Sequence, residues 1–275
     1  MKKNYFVLLG SPDPEMNMIE FLLRTLGIPF AYATINGWRC HAGNVYRADP
    51  IMIPKNTRLV VVECEPINYF QFANPIRIDH HRPEIDLAAC MGPSDSWSAS
   101  SIGQLYKLLK QKSTREAVLV GCADHTFVAA AQGMCPEVEP ADVIAYRIRE
   151  ILQNSDSSRN LIDRHINTFR RVMDRAPIKL IGNQEVLDLR MLGFNEGYSD
   201  GLLLLQTVLA MDNRAALVRS SHYKGGQKRI LITGHAYPDT VKDFMEHWAP
   251  EHNLVNVFGV ELRNYAGASI PSSGK

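Results

Sequence analysis

The chain lacks an excess of charge of either sign: 30 Lys and Arg stand against 29 Asp and Glu, a formal net charge of +1 over 275 residues. Evenly mixed charge gives no basic stripe for tracking a long nucleic acid, so polymeric nucleic acid is not expected as a partner. It also lacks any apolar run near the ~20 residues of a membrane span, and the run after Met1-Lys2-Lys3-Asn4 is too short for a secretory core. No membrane association is expected, and the cytoplasm is the default location. Cysteine is scarce: five residues, an odd number without paired spacing, point to a reducing compartment rather than a disulfide framework. Aromatics make up 8% of the chain; of the three tryptophans, Trp38 and Trp97 could stack a base, although packing is the commoner use of Trp.

What is present is a set of short apolar runs, each emptying into acidic or imidazole groups. Tyr5 to Leu9 leads into Gly10-Ser11-Pro12-Asp13-Pro14-Glu15. Arg58 to Val62 ends in Glu63-Cys64-Glu65, Pro75 to Ile78 ends in Asp79-His80-His81, and Ala117 to Gly121 ends in Cys122-Ala123-Asp124-His125. Read as strands, these four deliver their polar groups at C-terminal ends, where parallel-sheet proteins bind ligands. Converging carboxylates repel one another unless cations neutralise them. Imidazole nitrogens beside carboxylates suit Mn, Fe, Co or Zn.

Helix-like spacing at 15–26 and 99–112 alternates with the strand-like runs, including one near 28–34, which predicts a parallel sheet with helices on both faces. The expected fold class is α/β: a parallel-sheet domain over 1–140, a charged helical connector over 141–176, and a smaller α/β capping domain over 177–275. In the last, strands are expected at 178–181, 216–218 and 229–233, with helices at 201–210 and 239–248.

Asp13-Pro14-Glu15, Glu63, Asp79-His80-His81 and the Asp124-His125-Thr126-Phe127 stretch together resemble the DHH phosphoesterase family, over roughly residues 5–130. The helix start at Ser98 to Leu105 is similar too. The resemblance implies a metal set of Asp13, Glu15, Glu63, His80 and Asp124 holding one or two ions, with Mn2+ first and Zn2+ or Fe2+ as alternatives. It implies that Asp79 and His81 serve catalysis, His81 facing the substrate phosphate.

The pattern departs at Leu9, which stands where the family has a histidine; His41 or His125 could fill the gap, or remain structural. Glu15 and Glu63 replace aspartates, and a thiolate at Cys64 or Cys122 would tilt the site toward zinc. The family's glycine run ending in His has no clear copy in the C-terminal half. His235, before an expected helix, with Arg219 and Lys224, is the expected substrate-binding set there. The activity implied is metal-dependent hydrolysis of a small phosphoester such as a short oligonucleotide, cyclic dinucleotide or nucleotide. The alternative is an impaired relative that binds a phosphate-bearing ligand or a partner protein; homo-oligomerisation is left open.

Overall fold

The structure, a computed structural model, describes residues 4–82, 91–154, 158–191, 201–220 and 228–271. The chain divides into two compact units: residues 1–91 with 95–125, and residues 92–94 with 126–275.

The first unit begins with β1 (Tyr5–Leu9) and α1 (Pro14–Leu26), followed by β2 (Phe30–Tyr32), a hairpin of β3 (Thr34–Ile35) and β4 (Trp38–Arg39), then β5 (Arg58–Val62) and β6 (Ile76–Ile78). A short α2 (Ser96–Ala99), α3 (Ser101–Leu109) and α4 (Arg115–Ala131) complete it, α4 running on past the unit boundary. Strands β2-β1-β5-β6 form one sheet, every pair parallel. Its faces are buried on both sides, as parallel sheets require. Val7, Leu9, Val60, Val62 and Ile78 pack with Met16, Ile19, Ile102 and Leu105 of α1 and α3. Leu8, Leu59 and Val61 pack on the opposite face with Val45, Ala48 and Tyr69.

The register brings the strand ends level. Leu9 pairs with Val62 and Val62 with Ile78, so Glu63 and Asp79 each follow one residue beyond the last paired row. Extended backbone would turn Glu63 to the side of Leu59 and Val61, since side chains alternate. Instead Glu63 takes φ +50, and Cys64 fills the Leu8–Val61 face in its place. This left-handed conformation is costly for a non-glycine residue. Gly10 makes room for it: a Cβ there would lie 2.6 Å from the Glu63 carbonyl oxygen.

The run at 117–122, expected as a strand, is helical, within α4. A short apolar run does not distinguish a buried strand from a buried helix. Thr114 Oγ1 accepts the Ala117 N–H at 3.1 Å, starting the helix, and Ala117, Val120, Gly121 and Cys122 bury its inner face. Gly121 is the point of close approach to α3, where a Cβ would stand 2.5 Å from Ser100 Oγ.

The second unit contains α5 (Pro140–Asn154), α6 (Arg159–Met173), β7 (Ile178–Ile181), β8 (Gln184–Asp188), α7 (Gly201–Met211), β9 (Ala215–Ser220) and β10 (Arg229–Gly234). There follow α8 (Pro238–Asp243), a π-helical turn over Phe244–Trp248, α9 (Ala249–Glu251), β11 (Val255–Val260) and β12 (Tyr265–Ser269). Its six-stranded sheet has the order β11-β12-β10-β9-β8-β7, antiparallel except for the β8–β9 pair. Ile148, Ile151, Ile162, Ile166 and Met173 of α5 and α6 share a core with α7 and β9. No helix among the described residues is long and apolar enough to cross a membrane.

Candidate metal centre

Side chains of Glu63, His80, His81 and Asp124 converge beyond the C-terminal ends of β5 and β6. Each offers one ligand atom, and the four atoms lie within 4.8 Å of one another. Glu63 follows β5, the two histidines follow β6, and Asp124 comes from α4, seven residues after Ala117 and two before Thr126, where the helix kinks (φ −143, ψ 58).

His80 is fully buried. Its Nε2 lies 3.0 Å from Asp124 Oδ2 and 3.8 Å from Glu63 Oε1. Its Nδ1 faces the Ser101 N–H at 3.3 Å and Glu15 Oε2 at 3.8 Å. The His81 ring is half-exposed, with Nε2 3.2 Å from Glu63 Oε2. Glu63 also accepts a hydrogen bond from Ser101 Oγ at 2.6 Å, so both of its oxygens are engaged.

Asp79 turns away from the cluster. It accepts the His81 N–H at 2.8 Å through Oδ1 and the Tyr46 hydroxyl at 2.8 Å through Oδ2, fixing the turn that carries the two rings. Asp13 caps α1, its Oδ1 accepting the Met16 N–H at 2.6 Å, with Pro14 at the first helical position. Glu15 enters the core, where Oε1 accepts the Ile102 N–H at 3.1 Å and Oε2 has no hydrogen-bond partner among the described residues.

The charges divide into two groups. Burial, with the Glu63 and Asp124 charges behind it, lifts Asp13 to about 8 and pushes Glu15 well above the ordinary carboxylate range. Burial also raises Asp79. Burial works against the charge on Glu63, but His81 and His80 outweigh it and hold the carboxyl well down. Asp124 is likewise held below its usual value, the His80 hydrogen bond overcoming burial. Burial opposes the charge on His81, yet Glu63, with Asp124 and Asp79, raises it to about 9. Two anions and two imidazoles held together in a largely buried space form a mixed oxygen and nitrogen donor set of the kind that binds divalent transition ions. A cation would also relieve the repulsion now met by carboxyl groups with raised pKa.

The residues read as replacements for the missing histidine lie outside this ligand set. His41 is exposed, its Nδ1 accepting the Gly43 N–H at 3.1 Å. His125 is buried, its ring centroid 5.2 Å from that of His80 and its Nε2 3.2 Å from the Met91 carbonyl oxygen. Leu9 belongs to the core with Val62 and Ile78. Cys64 directs its thiol to the Leu8 carbonyl, and burial keeps that thiol well above its usual pKa. Trp97 packs on Tyr106 in the core, whereas Trp38 is 81% exposed on β4.

In the second unit His235 pairs through Nδ1 with Gln132 Oε1, and burial lowers its pKa. Arg219 stands opposite Ile230, whereas Gly234 stands opposite Ala215. His235 and Arg219 therefore lie at opposite ends of the β9–β10 ladder, separated by roughly 13 Å or more at ~3.3 Å per residue. Lys224 lies outside the described residues.

Two partners escaped sequence reading. Tyr46 reaches Asp79 from 33 residues away, across the turns that follow β4. Ser101 joins Glu63 and His80, and its signal was the serine-rich start of α3.

The fold and the cluster define an α/β protein with a four-stranded parallel sheet and a buried carboxylate–imidazole site that could bind a metal ion. No protein-family model and no curated protein matches the chain. Among solved structures, a pGpG-specific phosphodiesterase, PggH from Vibrio cholerae, is similar at 12% identity and a TM-score of 0.41, the likeness covering 98% of this chain and 93% of that one.

Proposed function

We propose that the first unit is a divalent-metal-dependent phosphoesterase acting on a small phosphoester: a short oligonucleotide, a cyclic dinucleotide or a nucleotide. The observation that carries this reading is the convergence of Glu63, His80, His81 and Asp124 on one space of ion size. The DHH-like order of Asp13, Glu63, Asp79-His80-His81 and Asp124 supports it.

In this reading Glu63, His80 and Asp124 hold the ion, Mn2+ in first place and Fe2+ or Zn2+ after it. Such an ion acts as a Lewis acid on a phosphoryl oxygen and lowers the pKa of bound water. His81, half-exposed and held by Asp79 and Glu63, faces the phosphate and stabilises the charge that develops as the ester bond breaks. Asp79 and Tyr46 keep that ring in place. The near balance of positive and negative residues in the sequence favours small substrates over polymers.

One observation favours a second reading, a phosphoester-binding protein with little turnover. Leu9 is 0% exposed, in the core, so β1 ends in no ligand of its own, which favours one ion over two. Elemental analysis of protein purified without added metal, followed by Mn2+-dependent cleavage of bis-p-nitrophenyl phosphate and of a linear dinucleotide, tests both. Stoichiometric metal with turnover supports the first reading, and metal with ligand binding but no turnover supports the second. The absence of bound metal together with the absence of cleavage overturns the metal-dependent assignment.

A further inference from the structure

A cavity of about 1030 Å³ opens at the N-terminal edge of the parallel sheet, lined wholly by residues of the first unit. Tyr5, the first residue of β1, lines it, whereas Leu9 ends β1 on the side of the ligand cluster, a separation of roughly 13 Å at ~3.3 Å per residue. The space is therefore distinct from the metal centre. Two helix ends leave it open: α1 stops at Gly27 and α3 at Lys110, both left-handed caps, and both caps line the cavity.

Its walls are aliphatic, formed by Leu26, Ile28, Pro29, Leu108 and Leu109. Ile28, Leu108 and Leu109 are half-buried at the margin of the core, and Leu26 is 37% exposed. Concave apolar surface of this size, with a few polar groups, is what small-molecule pockets offer. The polar groups here carry one sign of charge: Lys107 and Lys110 line the cavity, and among the described residues no Asp or Glu does. Among the described residues neither ammonium has an ion-pair partner. The carbonyl ends of α1 and α3 oppose an anion with about half a unit charge each, which two full cations outweigh.

The same walls exclude other ligand classes. Asn4, Thr57 and Gln111 supply the uncharged polar side chains apart from the Tyr5 hydroxyl, and Gln111 Nε2 already donates to the Leu109 carbonyl at 3.1 Å. A sugar or nucleotide would leave most of its polar atoms without partners, which is costly. Tyr5 is the single aromatic ring in the described lining, so a planar ligand finds no pair of stacking faces. We propose that this cavity binds an amphipathic monocarboxylate, a medium-chain fatty acid, with its alkyl chain on the aliphatic walls and its carboxylate between Lys107 and Lys110. The metal reading has no part in this inference.

The test is calorimetric titration of the full chain with hexanoate, octanoate and decanoate, each below its aggregation concentration, with decanol and decyltrimethylammonium as neutral and cationic controls. The carboxylates should bind at one site per chain, tightening about fourfold per methylene, as burial of one CH2 requires. Methyl resonances of Leu26, Ile28 and Leu108 should shift. The double variant Lys107→Gln, Lys110→Asn, in which Asn suits the left-handed backbone, should weaken decanoate by at least about 10-fold, the loss of a charged hydrogen bond, and leave decanol unchanged. Absence of saturable decanoate binding, equal affinity for decyltrimethylammonium, an unaltered double variant, or shifts confined to other methyl groups overturns the inference. Should the double variant fail to fold, Leu26→Asp, which sets a carboxylate in the wall, is held to the same loss.

Discussion

Ser101→Ala isolates one hydrogen bond with little change in volume. Ser101 is fully buried, and its Oγ donates at 2.6 Å to Glu63, a carboxylate held anionic by two imidazoles. A buried hydrogen bond to a charged group contributes about 1.5–3 kcal/mol, and its loss leaves Glu63 Oε1 short of a donor. We expect Ser101→Ala to destabilise the metal-free protein by about 2 kcal/mol. At a urea slope of roughly 2 kcal/mol/M, that moves the unfolding midpoint by about 1 M. The sign with pH follows from the depressed folded value of Glu63: its stabilisation is present above the unfolded pKa of about 4.3 and is lost as the pH falls through the folded value. The Ser101→Ala penalty should therefore be full at neutral pH and diminish only in acid. Saturating Mn2+ should shrink it as well, because an ion beside Glu63 takes over part of the hydroxyl's work. A penalty under 0.5 kcal/mol, the ordinary effect of a surface change, or one unaffected by both pH and metal, refutes this account of Glu63.

His80→Ala should lower metal content and thermal stability together, because an ion bound only by the folded protein stabilises it, by about 2.7 kcal/mol at 100 times the dissociation constant; elemental analysis alongside thermal melts in EDTA and in Mn2+ checks this, and wild-type metal content would remove His80 from the ligand set. Leu9→Ala should cost about 2–5 kcal/mol of stability through cavity formation in the core shared by β1, α1 and α3. It should nevertheless leave the ions per chain unchanged, and denaturant unfolding with metal analysis separates the two effects.

Much of the first unit was legible because parallel-sheet strands are plain apolar runs, and β5 and β6 each stop where a carboxylate begins. Asp124 was expected at a strand end and lies on a helix, since Ala117 to Gly121 has no periodicity that separates a helix from a strand. Asp13-Pro14 carried a helix-start signature, an N-cap followed by proline, which the acidic pattern obscured. The burial of the Glu15 carboxyl group was invisible, since helical spacing places a residue on a face without saying which backbone N–H it will meet. In the second unit β7, β9 and β10 were readable from their apolar runs. Strands β8, β11 and β12 were not: Gln184 and Glu185 interrupt β8, a register shift lies between Val255 and Phe258 in β11, and Ala266-Gly267-Ala268 has little β-branched character.

The alignment of Leu9, Val62 and Ile78 in one row, with Glu63 and Asp79 a single step beyond, sets where this chain can change length. A residue added before Arg58, in the loop that enters β5, can be absorbed outside the sheet without moving the register. A residue added or deleted between Val60 and Glu63 would turn every following side chain to the opposite face. A valine would then face the imidazoles and a carboxylate would enter the core. The sheet is thus tolerant of insertions at its N-terminal edge and intolerant at the other. Related chains that differ in length should concentrate their gaps in the loops leading into the strands and keep the strand-to-ligand spacing constant.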